Sequence, residues 1–210
     1  MPDMQHTLTD ALGIGVSRET VERLETHLAL LRKWNPAINL VAQSTLSMGW
    51  ERHIRDSAQV MRHCSRSDGH WLAFGTGGGF PGLVCAILAA EIVPQIRFTF
   101  VESDKRKAAF LTSAAQTIGL THKILSERIE ALPPQNADII SARAVAPLAQ
   151  LLAYSAPHLG QDNICIFPKG ERYLSEVDAA RHDWRFKLSR FPSITDSNAA
   201  ILVLGDIERA

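Results

Sequence analysis

A run of glycines after a short apolar segment constrains this chain more than any other feature. The residues Trp71-Leu72-Ala73-Phe74 lead directly into five glycines within eight residues, at positions 75, 77, 78, 79 and 82. Glycine lets the backbone turn sharply and lets a ligand approach the main chain without a Cβ in the way. Pro81 suits the first turn of a helix, whose free N–H groups carry a local positive potential. The pattern predicts a buried strand, a tight turn and a helix, which together bind nucleotide-like ligands at the carboxyl end of a parallel sheet.

An acidic residue stands where such a fold usually holds a ribose. A second apolar segment ends at Val101-Glu102-Ser103-Asp104, and Glu102 lies 20 residues after Gly82. A carboxylate at the tip of the second strand can accept two hydrogen bonds from a vicinal diol. We therefore expect Glu102 to contact the ribose of a bound cofactor.

Two classes of cofactor fit the glycines. Gly77-x-Gly79-x-x-Gly82 matches the dinucleotide fingerprint, which predicts a nicotinamide- or flavin-dependent oxidoreductase. The overlapping Gly75-x-Gly77-x-Gly79 is typical of the loop of S-adenosylmethionine-dependent methyltransferases. That second fold ends in an antiparallel hairpin, and two late apolar runs, at 186–190 and 199–204, have no helix between them. The predicted hairpin favours the methyltransferase, with Gly75, Thr76, Gly77 and Gly79 against the cofactor.

The segments after residue 66 alternate between strand and helix patterns, which predicts a doubly wound, mostly parallel α/β sheet with helices on both faces. We expect five parallel strands, then the hairpin at the sheet edge. The predicted strands are 70–74, 97–102, 123–126, 137–141 and 163–167, and the predicted helices are 81–90, 105–118, 147–155 and 171–181.

The first 66 residues have helical spacing throughout. Apolar residues recur at positions 21, 24, 28 and 31 after Ser17, a plausible N-cap, and Asn35-Pro36 is expected to end this helix. A second helix is expected from Ser44 to about Cys64. The chain therefore divides into an N-terminal helical cap, 1–66, and a cofactor-binding domain, 67–210.

Composition narrows the class of protein. The chain has 22 basic and 22 acidic residues, which excludes a polybasic coat but leaves room for a locally basic face. No apolar run is long enough to span a bilayer, and the first five residues do not resemble a signal peptide. Three widely spaced cysteines favour a reducing compartment over a disulfide scaffold. We expect a cytoplasmic monomer without a membrane partner.

Several motifs in order resemble one family. About residues 20–180 closely resemble the RsmG family, also called glucose-inhibited division protein B, which are bacterial methyltransferases of 16S ribosomal RNA. No single motif is decisive, but the ordered set is specific. It comprises Asn39-Leu40-Val41-Ala42, Arg52-His53-Ile54-Arg55-Asp56-Ser57, the glycine turn ending in Phe80-Pro81-Gly82, Val101-Glu102-Ser103-Asp104-Lys105-Arg106-Lys107, Arg128-Ile129-Glu130, Ser141-Ala142-Arg143-Ala144 and Pro168-Lys169-Gly170.

The resemblance implies a class I methyltransferase fold and a specific reaction. S-adenosylmethionine would donate a methyl group to N7 of one guanine, position 527 in the 530 loop, of 16S RNA, either free or in the 30S subunit. By the same resemblance Gly75 and Phe80 would touch the cofactor, Ile129 and Glu130 would lie near its adenine, and Arg143 would stand where cofactor and target base meet.

One position departs from the family pattern. The family has an acid at the first position of D-x-G-x-G, and Ala73 stands there. In methyltransferases this acid supports the loop and the methionine end of the cofactor. The departure raises a third possibility, a non-catalytic RNA-binding assembly protein.

The absence of a nucleophile–base set agrees with guanine N7 chemistry. N7 is an unprotonated ring nitrogen and needs no general base, so positioning can supply the catalysis. Arg143 is the best candidate for the active site, because arginine commonly pairs with guanine O6. It would contact O6, leaving N7 free, or the cofactor carboxylate. A surface salt bridge at a strand end is the alternative.

Basic residues near the predicted rim are candidates for phosphate contacts. An ordinary solvated face is an equally good interpretation for them. The candidate RNA-binding residues are Arg52, His53, Arg55, Lys105, Arg106, Lys107, Lys169 and Arg172.

The spacing of His53, His63, Cys64 and His70 matches no zinc pattern, and no metal is expected.

Overall fold

Seven strands pair into one sheet in the computed structural model, which describes residues 4–210. Their order across the sheet is β3-β2-β1-β4-β5-β7-β6. The predicted doubly wound sheet is confirmed. In chain order the strands are β1 (Asp68–Phe74), β2 (Gln95–Val101), β3 (Lys123–Leu125), β4 (Ala137–Ser141), β5 (Leu159–Lys169), β6 (Trp184–Pro192) and β7 (Ala200–Arg209).

The first five strands are parallel. The last four residues of β1 are all buried, as expected of a strand covered on both faces. Strand order reverses between β1 and β4, so the connections that leave these two strands diverge and open a crevice at their carboxyl ends. The glycine turn after β1 and the loop after β4 therefore lie next to each other at this crevice.

The predicted C-terminal hairpin is confirmed. β7 pairs antiparallel with both β5 and β6, so that β6 forms the edge of the sheet. The hairpin brings its connecting loop, 193–199, to the same end of the sheet as the carboxyl end of β5, because Lys169 pairs with Ala200.

Within residues 4–210, seven α-helices flank the sheet and build the cap. Short helical segments of other pitch lie at Gln43–Met48, Trp50–Arg55, Ile129–Ala131 and Ala156–His158. The α-helices are α1 (Met4–Leu12), α2 (Arg18–Ile38), α3 (Asp56–Arg62), α4 (Gly82–Ile92), α5 (Lys105–Thr117), α6 (Leu148–Ser155) and α7 (Tyr173–Ala180).

Helix α2 begins where predicted but ends later. Ser17 is its N-cap, and the Ser17 hydroxyl accepts a hydrogen bond from the Thr20 N–H at 3.2 Å. The prediction that Asn35-Pro36 ends the helix is wrong, because Pro36 lies inside its last turn. Proline removes only its own N–H bond there, and the helix stops at Asn39, whose backbone is left-handed with φ 51°.

The second predicted helix exists as three consecutive segments of different pitch. A 3₁₀ turn, Gln43–Met48, is followed by a π-helical segment, Trp50–Arg55, and then by α3. The wider π turn occurs at the residues that face the crevice, in keeping with the frequent placement of such turns at functional sites.

The cap and one face of the sheet share a core. Apolar side chains of α1, α2 and α3 pack in one cluster with α4, α5 and alternate β1 residues, such as Trp71. The other β1 residues, such as Leu72, face α6 and α7 in a second cluster. The division into 1–66 and 67–210 stays a prediction, and residues 1–3 lie outside the described residues.

Candidate active site

The glycine turn is held by backbone bonds and by one buried carboxylate. Gly75, Gly77 and Gly79 have φ values of 62°, 48° and 91°, a region that favours glycine. The Gly75 N–H donates to the Val101 carbonyl at 2.8 Å. Glu102 is buried, and its carboxylate accepts from the Gly77 N–H at 2.8 Å and from the Asp104 N–H at 2.9 Å.

Glu102 therefore stabilises the turn itself. The sequence predicted a ribose contact for this residue, which stays a prediction. A carboxylate offers about four lone-pair positions, so two backbone N–H donors leave acceptor capacity for a diol.

Helix α2 of the cap packs directly on the turn. A Cβ at Gly78 would lie 2.9 Å from the Leu31 Cδ1 atom, and a Cβ at Gly79 would lie 2.9 Å from His27 Nε2. His27 is fully buried, and its Nε2 lies 2.7 Å from the Gly78 carbonyl oxygen. Desolvation by burial lowers the pKa of His27 to about 4, so the ring is neutral at neutral pH. On their Cβ side these two glycines make room for the cap, and the predicted cofactor contact of Gly79 stays a prediction.

Phe80 lies at the centre of an aromatic group. Its ring stacks with His27 at 5.0 Å and with His53 at 4.8 Å between centroids, and the Arg143 guanidinium lies 5.1 Å from its centroid. Phe80 is only 4% exposed, so its ring is enclosed by protein. The predicted cofactor contact of Phe80 would therefore involve its backbone, and it stays a prediction.

A small cavity of about 130 Å³ lies beside Gly75. Ile129 and Glu130, the residues predicted near an adenine, line this cavity with Gly75. Ile129 is buried and Glu130 is exposed. The remaining lining residues are Phe74, Val101, Ser103, Glu127, Arg128, Val145 and Tyr154.

A larger cavity of about 600 Å³ opens between the cap, the carboxyl end of β5 and the loop of the hairpin. Arg143 and Ala144 line it, whereas Val145 of the same loop lines the smaller cavity. The loop after β4 therefore separates the two cavities. Arg143 stands at their boundary, and its predicted place where cofactor and target base meet stays a prediction.

Arg143 is held by an ion pair with the cap. Its Nη1 donates to Asp56 Oδ2 at 2.7 Å, and both side chains are mostly buried. Its Nη2 lies 3.3 Å from His53 Nδ1. The predicted alternative, a salt bridge at a strand end, is thus present, but across two segments of the site and largely out of solvent.

Proton positions around His53 follow from its neighbours. Arginine can only donate, so His53 Nδ1 accepts from Arg143 and carries no proton. His53 Nε2 therefore bears the proton and donates to the Thr45 hydroxyl at 2.9 Å, and Thr45 in turn donates to the Ala42 carbonyl. Burial, with a further effect of the Arg143 charge, lowers the pKa of His53 to about 4. Its predicted RNA contact could therefore not be ionic at neutral pH.

Asp56 joins the cap to the C-terminal hairpin. Its Oδ1 accepts from the Thr195 hydroxyl at 2.8 Å and from Gln59 Nε2 at 3.0 Å. Gln59 Oε1 accepts the Ile194 N–H at 3.1 Å. Both Asp56 oxygens are thus used, one for Arg143 and one for the hairpin loop.

The predicted phosphate-binding residues occupy different environments. Arg52 and Arg172 are exposed and line the larger cavity. Lys169 also lines it, but its side chain is only 9% exposed and pairs with Glu176.

The remaining basic candidates differ in whether an acidic side chain already pairs with them. Arg55 pairs with Glu51 one turn earlier in the π-helical segment. Lys105, Arg106 and Lys107 open α5, where Arg106 lies 3.5 Å from Asp104 and Lys105 is exposed. Their role in RNA binding stays a prediction.

Ala73, the departure from the family pattern, is completely buried in β1. A Cβ at Gly82 would lie 2.7 Å from the Ala73 Cβ, so the side chain faces the first turn of α4. The Thr76 hydroxyl in the turn is buried and lacks a hydrogen-bond partner among the described residues. Glu102 supplies the carboxylate that braces this turn.

Sequence inspection did not identify three residues of this site. His27 and His158 are buried against carbonyls of the two loops, and Asp56 connects three segments. For His27 a signal existed, because it lies on the apolar face of α2 between Leu24 and Leu28. In residues 4–210 no group of three or more metal-binding side chains occurs, and no helix there is long and apolar enough to cross a membrane.

The sequence is similar to one curated family. The family model described as rRNA small subunit methyltransferase G matches residues 20–201. Ribosomal RNA small subunit methyltransferase G of Cereibacter sphaeroides (strain ATCC 17029 / ATH 2.4.9) is 50% identical over 191 residues, which are 91% of this chain and 93% of that protein. The protein of the same name from Ruegeria sp. (strain TM1040) is 46% identical over 94% of this chain and 96% of its own length.

Solved structures share the fold at low identity. Ribosomal protein L11 methylase from Lactobacillus delbrueckii subsp. bulgaricus has a TM-score of 0.58 and 16% identity, over 74% of this chain and 77% of that one. A SAM dependent methyltransferase from Aquifex aeolicus has a TM-score of 0.58 and 11% identity, over 85% and 97%. The predicted class I methyltransferase fold is confirmed. The oxidoreductase and the non-catalytic binding protein receive no support from these comparisons.

Proposed function

This chain belongs to the rRNA small subunit methyltransferase G family, and from that premise we propose that it methylates N7 of a guanine in 16S ribosomal RNA, position 527 in the 530 loop, with S-adenosylmethionine as donor. The observation that carries the proposal is the family match over residues 20–201, which spans both cavities and every candidate site residue. The substrate is 16S RNA, free or within the 30S subunit. We also propose a monomer that acts in the cytoplasm.

The residues around the smaller cavity fit S-adenosylmethionine. Phe74, Val101 and Ile129 provide apolar walls for an adenine ring, with the exposed Glu130 carboxylate beside them. At Gly75 a Cβ would lie 2.4 Å from Val145 Cγ2, so only glycine leaves this surface open. Thr76, Gly77 and Gly79 would shape the turn beneath the cofactor, and Glu102 would reach the ribose. When bound, the cofactor supplies an electrophilic methyl group on a sulfonium.

The larger cavity would hold the target guanosine. It adjoins the smaller cavity across the loop of Arg143 and is lined by two exposed arginines, Arg52 and Arg172. The target base must leave its stacked position to enter, which is the general solution for enzymes that modify bases. The two arginines would neutralise phosphates at the mouth.

Arg143 would orient the base. Its guanidinium is fixed by Asp56 and by stacking over Phe80, so it enters the reaction already positioned. Donation to guanine O6 would leave N7 free for attack, and no residue needs to remove a proton because N7 carries none. Lys105, Arg106 and Lys107, with Arg55 and Lys169, would add phosphate contacts around the rim, and His53 would act as the neutral support of Arg143.

The test is methyl transfer from labelled S-adenosylmethionine into 30S subunits that lack the modification, followed by cleavage selective for 7-methylguanine. Label at the 530-loop guanine is expected. An Ala73→Asp variant runs beside the given chain. Label only with Ala73→Asp would keep the family chemistry and identify Ala73 as a loss of cofactor binding. No label with either protein, although both fold, would overturn the proposal.

A further inference from the structure

Two buried histidines contact the two loops that line the candidate cofactor site. His27, fully buried in α2, lies with Nε2 2.7 Å from the Gly78 carbonyl oxygen in the glycine turn. His158, 1% exposed after α6, lies with Nε2 3.0 Å from the Ile129 carbonyl oxygen in the wall of the smaller cavity. The same type of contact thus occurs at each of two loops that are far apart in the chain.

Both rings donate from the same nitrogen. A carbonyl oxygen accepts and never donates, so each Nε2 carries a proton. Each Nδ1 is buried and has no hydrogen-bond partner among residues 4–210. Neither ring is therefore part of a larger polar network, and the contact with one carbonyl is the one polar role that the described residues give it.

The two histidines act from opposite faces of the sheet. His27 belongs to the cap, which packs with α4 and α5, whereas His158 follows α6 on the other face. The glycine turn and the segment 129–131 meet at the carboxyl edge between them, at Gly75 and Ile129. Each peptide orientation at this edge decides where N–H and C=O groups point toward a bound molecule.

We propose that His27 and His158 are positioning residues for S-adenosylmethionine: each fixes the peptide orientation of one wall of the cofactor site by donating to its carbonyl. The inference rests on the proposed function. A histidine suits this task because it combines one N–H donor with an aromatic body, which His27 also uses to stack on Phe80. Loss of the His27 donor would leave the Gly78 carbonyl without its hydrogen-bond partner, which costs more than a weak contact would. The Ile129 carbonyl also accepts the Leu132 N–H at 3.3 Å, so loss of the His158 donor would remove one of its two hydrogen bonds.

The experiment compares donor-free and donor-retaining variants in the full chain. His27→Phe and His158→Phe keep a ring but lose the donor, whereas His27→Gln and His158→Gln keep an N–H near the position of Nε2. Thr20→Val is the matched control, because Thr20 is buried in the same helix as His27 but donates to Glu91 away from the turn. Affinity for S-adenosylhomocysteine is measured by calorimetry, with Tm alongside.

We expect each phenylalanine variant to weaken S-adenosylhomocysteine binding about tenfold, the equivalent of one hydrogen bond at a buried carbonyl. KM for S-adenosylmethionine should rise by a similar factor, while KM for 30S subunits stays within about twofold. The glutamine variants should recover affinity to within about threefold of wild type. Thr20→Val should lower Tm and leave the affinity unchanged.

Several results would overturn the inference. Folded phenylalanine variants that bind S-adenosylhomocysteine as wild type does would refute it, as would glutamine variants that recover nothing. If a phenylalanine variant does not fold, His27→Ala or His158→Ala takes its place under the same criterion. A wild-type chain that neither binds S-adenosylhomocysteine nor transfers a methyl group would refute the proposed function instead.

Discussion

Lowering the pH should reduce the free energy of unfolding of this protein, by an amount that follows from the burial of His27. Burial lowers the pKa of His27 from 6.5 to about 4 in the folded chain. The unfolded chain takes up a proton at this residue near pH 6.5, and the folded chain does so only near pH 4. The stabilisation is therefore complete above pH 6.5 and is lost as the pH falls from 6.5 toward 4.

The magnitude follows from the two pKa values. Between pH 7.5 and pH 5, proton linkage at His27 alone removes about 2 kcal/mol from the free energy of unfolding. His27→Gln cannot take up this proton, so its free energy of unfolding should fall less over the same range. The difference between wild type and His27→Gln should shrink by about 2 kcal/mol from pH 7.5 to pH 5. Histidines away from His27 contribute equally to both proteins and cancel, whereas the charge of His27 is one of the smaller effects on the pKa of His53.

The assay is urea unfolding at pH 7.5, 6.5, 5.5 and 5, followed by the fluorescence of the four tryptophans, of which Trp71 is fully buried. His182→Gln serves as the control, because His182 is exposed whereas His27 is fully buried. Its difference from wild type should not change with pH in the same way. Parallel curves for wild type and His27→Gln would refute the argument, since they would mean that His27 titrates normally in the folded chain.

Three further perturbations test other parts of the site. Asp56→Asn should lower the free energy of unfolding by about 1–3 kcal/mol, because it leaves the mostly buried Arg143 without its counter-charge. The kcat/KM for 30S methylation should also fall. Urea unfolding measures the first effect and steady-state kinetics the second. Gly75→Ala should abolish S-adenosylhomocysteine binding in calorimetry, since the backbone there has φ 62° and a Cβ would lie 2.4 Å from a neighbouring side chain. Replacing Lys105 and Lys107 by alanine should weaken RNA binding and reduce its salt slope by about 2, and an unchanged slope would exclude them as phosphate contacts.

Local patterns predicted most of the fold. The N-cap at Ser17, the glycine turn and the terminal hairpin each depend on residues close in sequence, and all three are present. The predicted end of α2 was wrong because proline blocks only its own hydrogen bond, which one last turn can tolerate. The changes of helical pitch within 43–62 could not be predicted from the sequence, because they depend on packing against the rest of the protein.

Residues of the candidate site could be predicted from the sequence only where they belong to a recognised motif. Arg143 was identified through the resemblance, and it lines the larger cavity beside the loop that separates the two cavities, while its role stays a prediction. Its partner Asp56 was quoted within a motif without a role, because the contact joins positions 87 residues apart. Gly79 was predicted to lie against the cofactor, and that contact stays a prediction, but the packing of Leu31 and His27 of the cap on Gly78 and Gly79 was not foreseen. Such contacts depend on tertiary structure, which spacing along the chain does not reveal.

The bond between Asp56 and Thr195 also has a consequence for biosynthesis. It spans 139 residues and ties the cap, which is translated before the sheet, to the loop of the hairpin, which is translated after β6. The cleft around Arg143 therefore cannot close before the hairpin has emerged from the ribosome, because one of its walls is still missing. A prematurely terminated product that ends before β7 would carry the glycine turn without an assembled active site, so an incomplete chain should not methylate RNA.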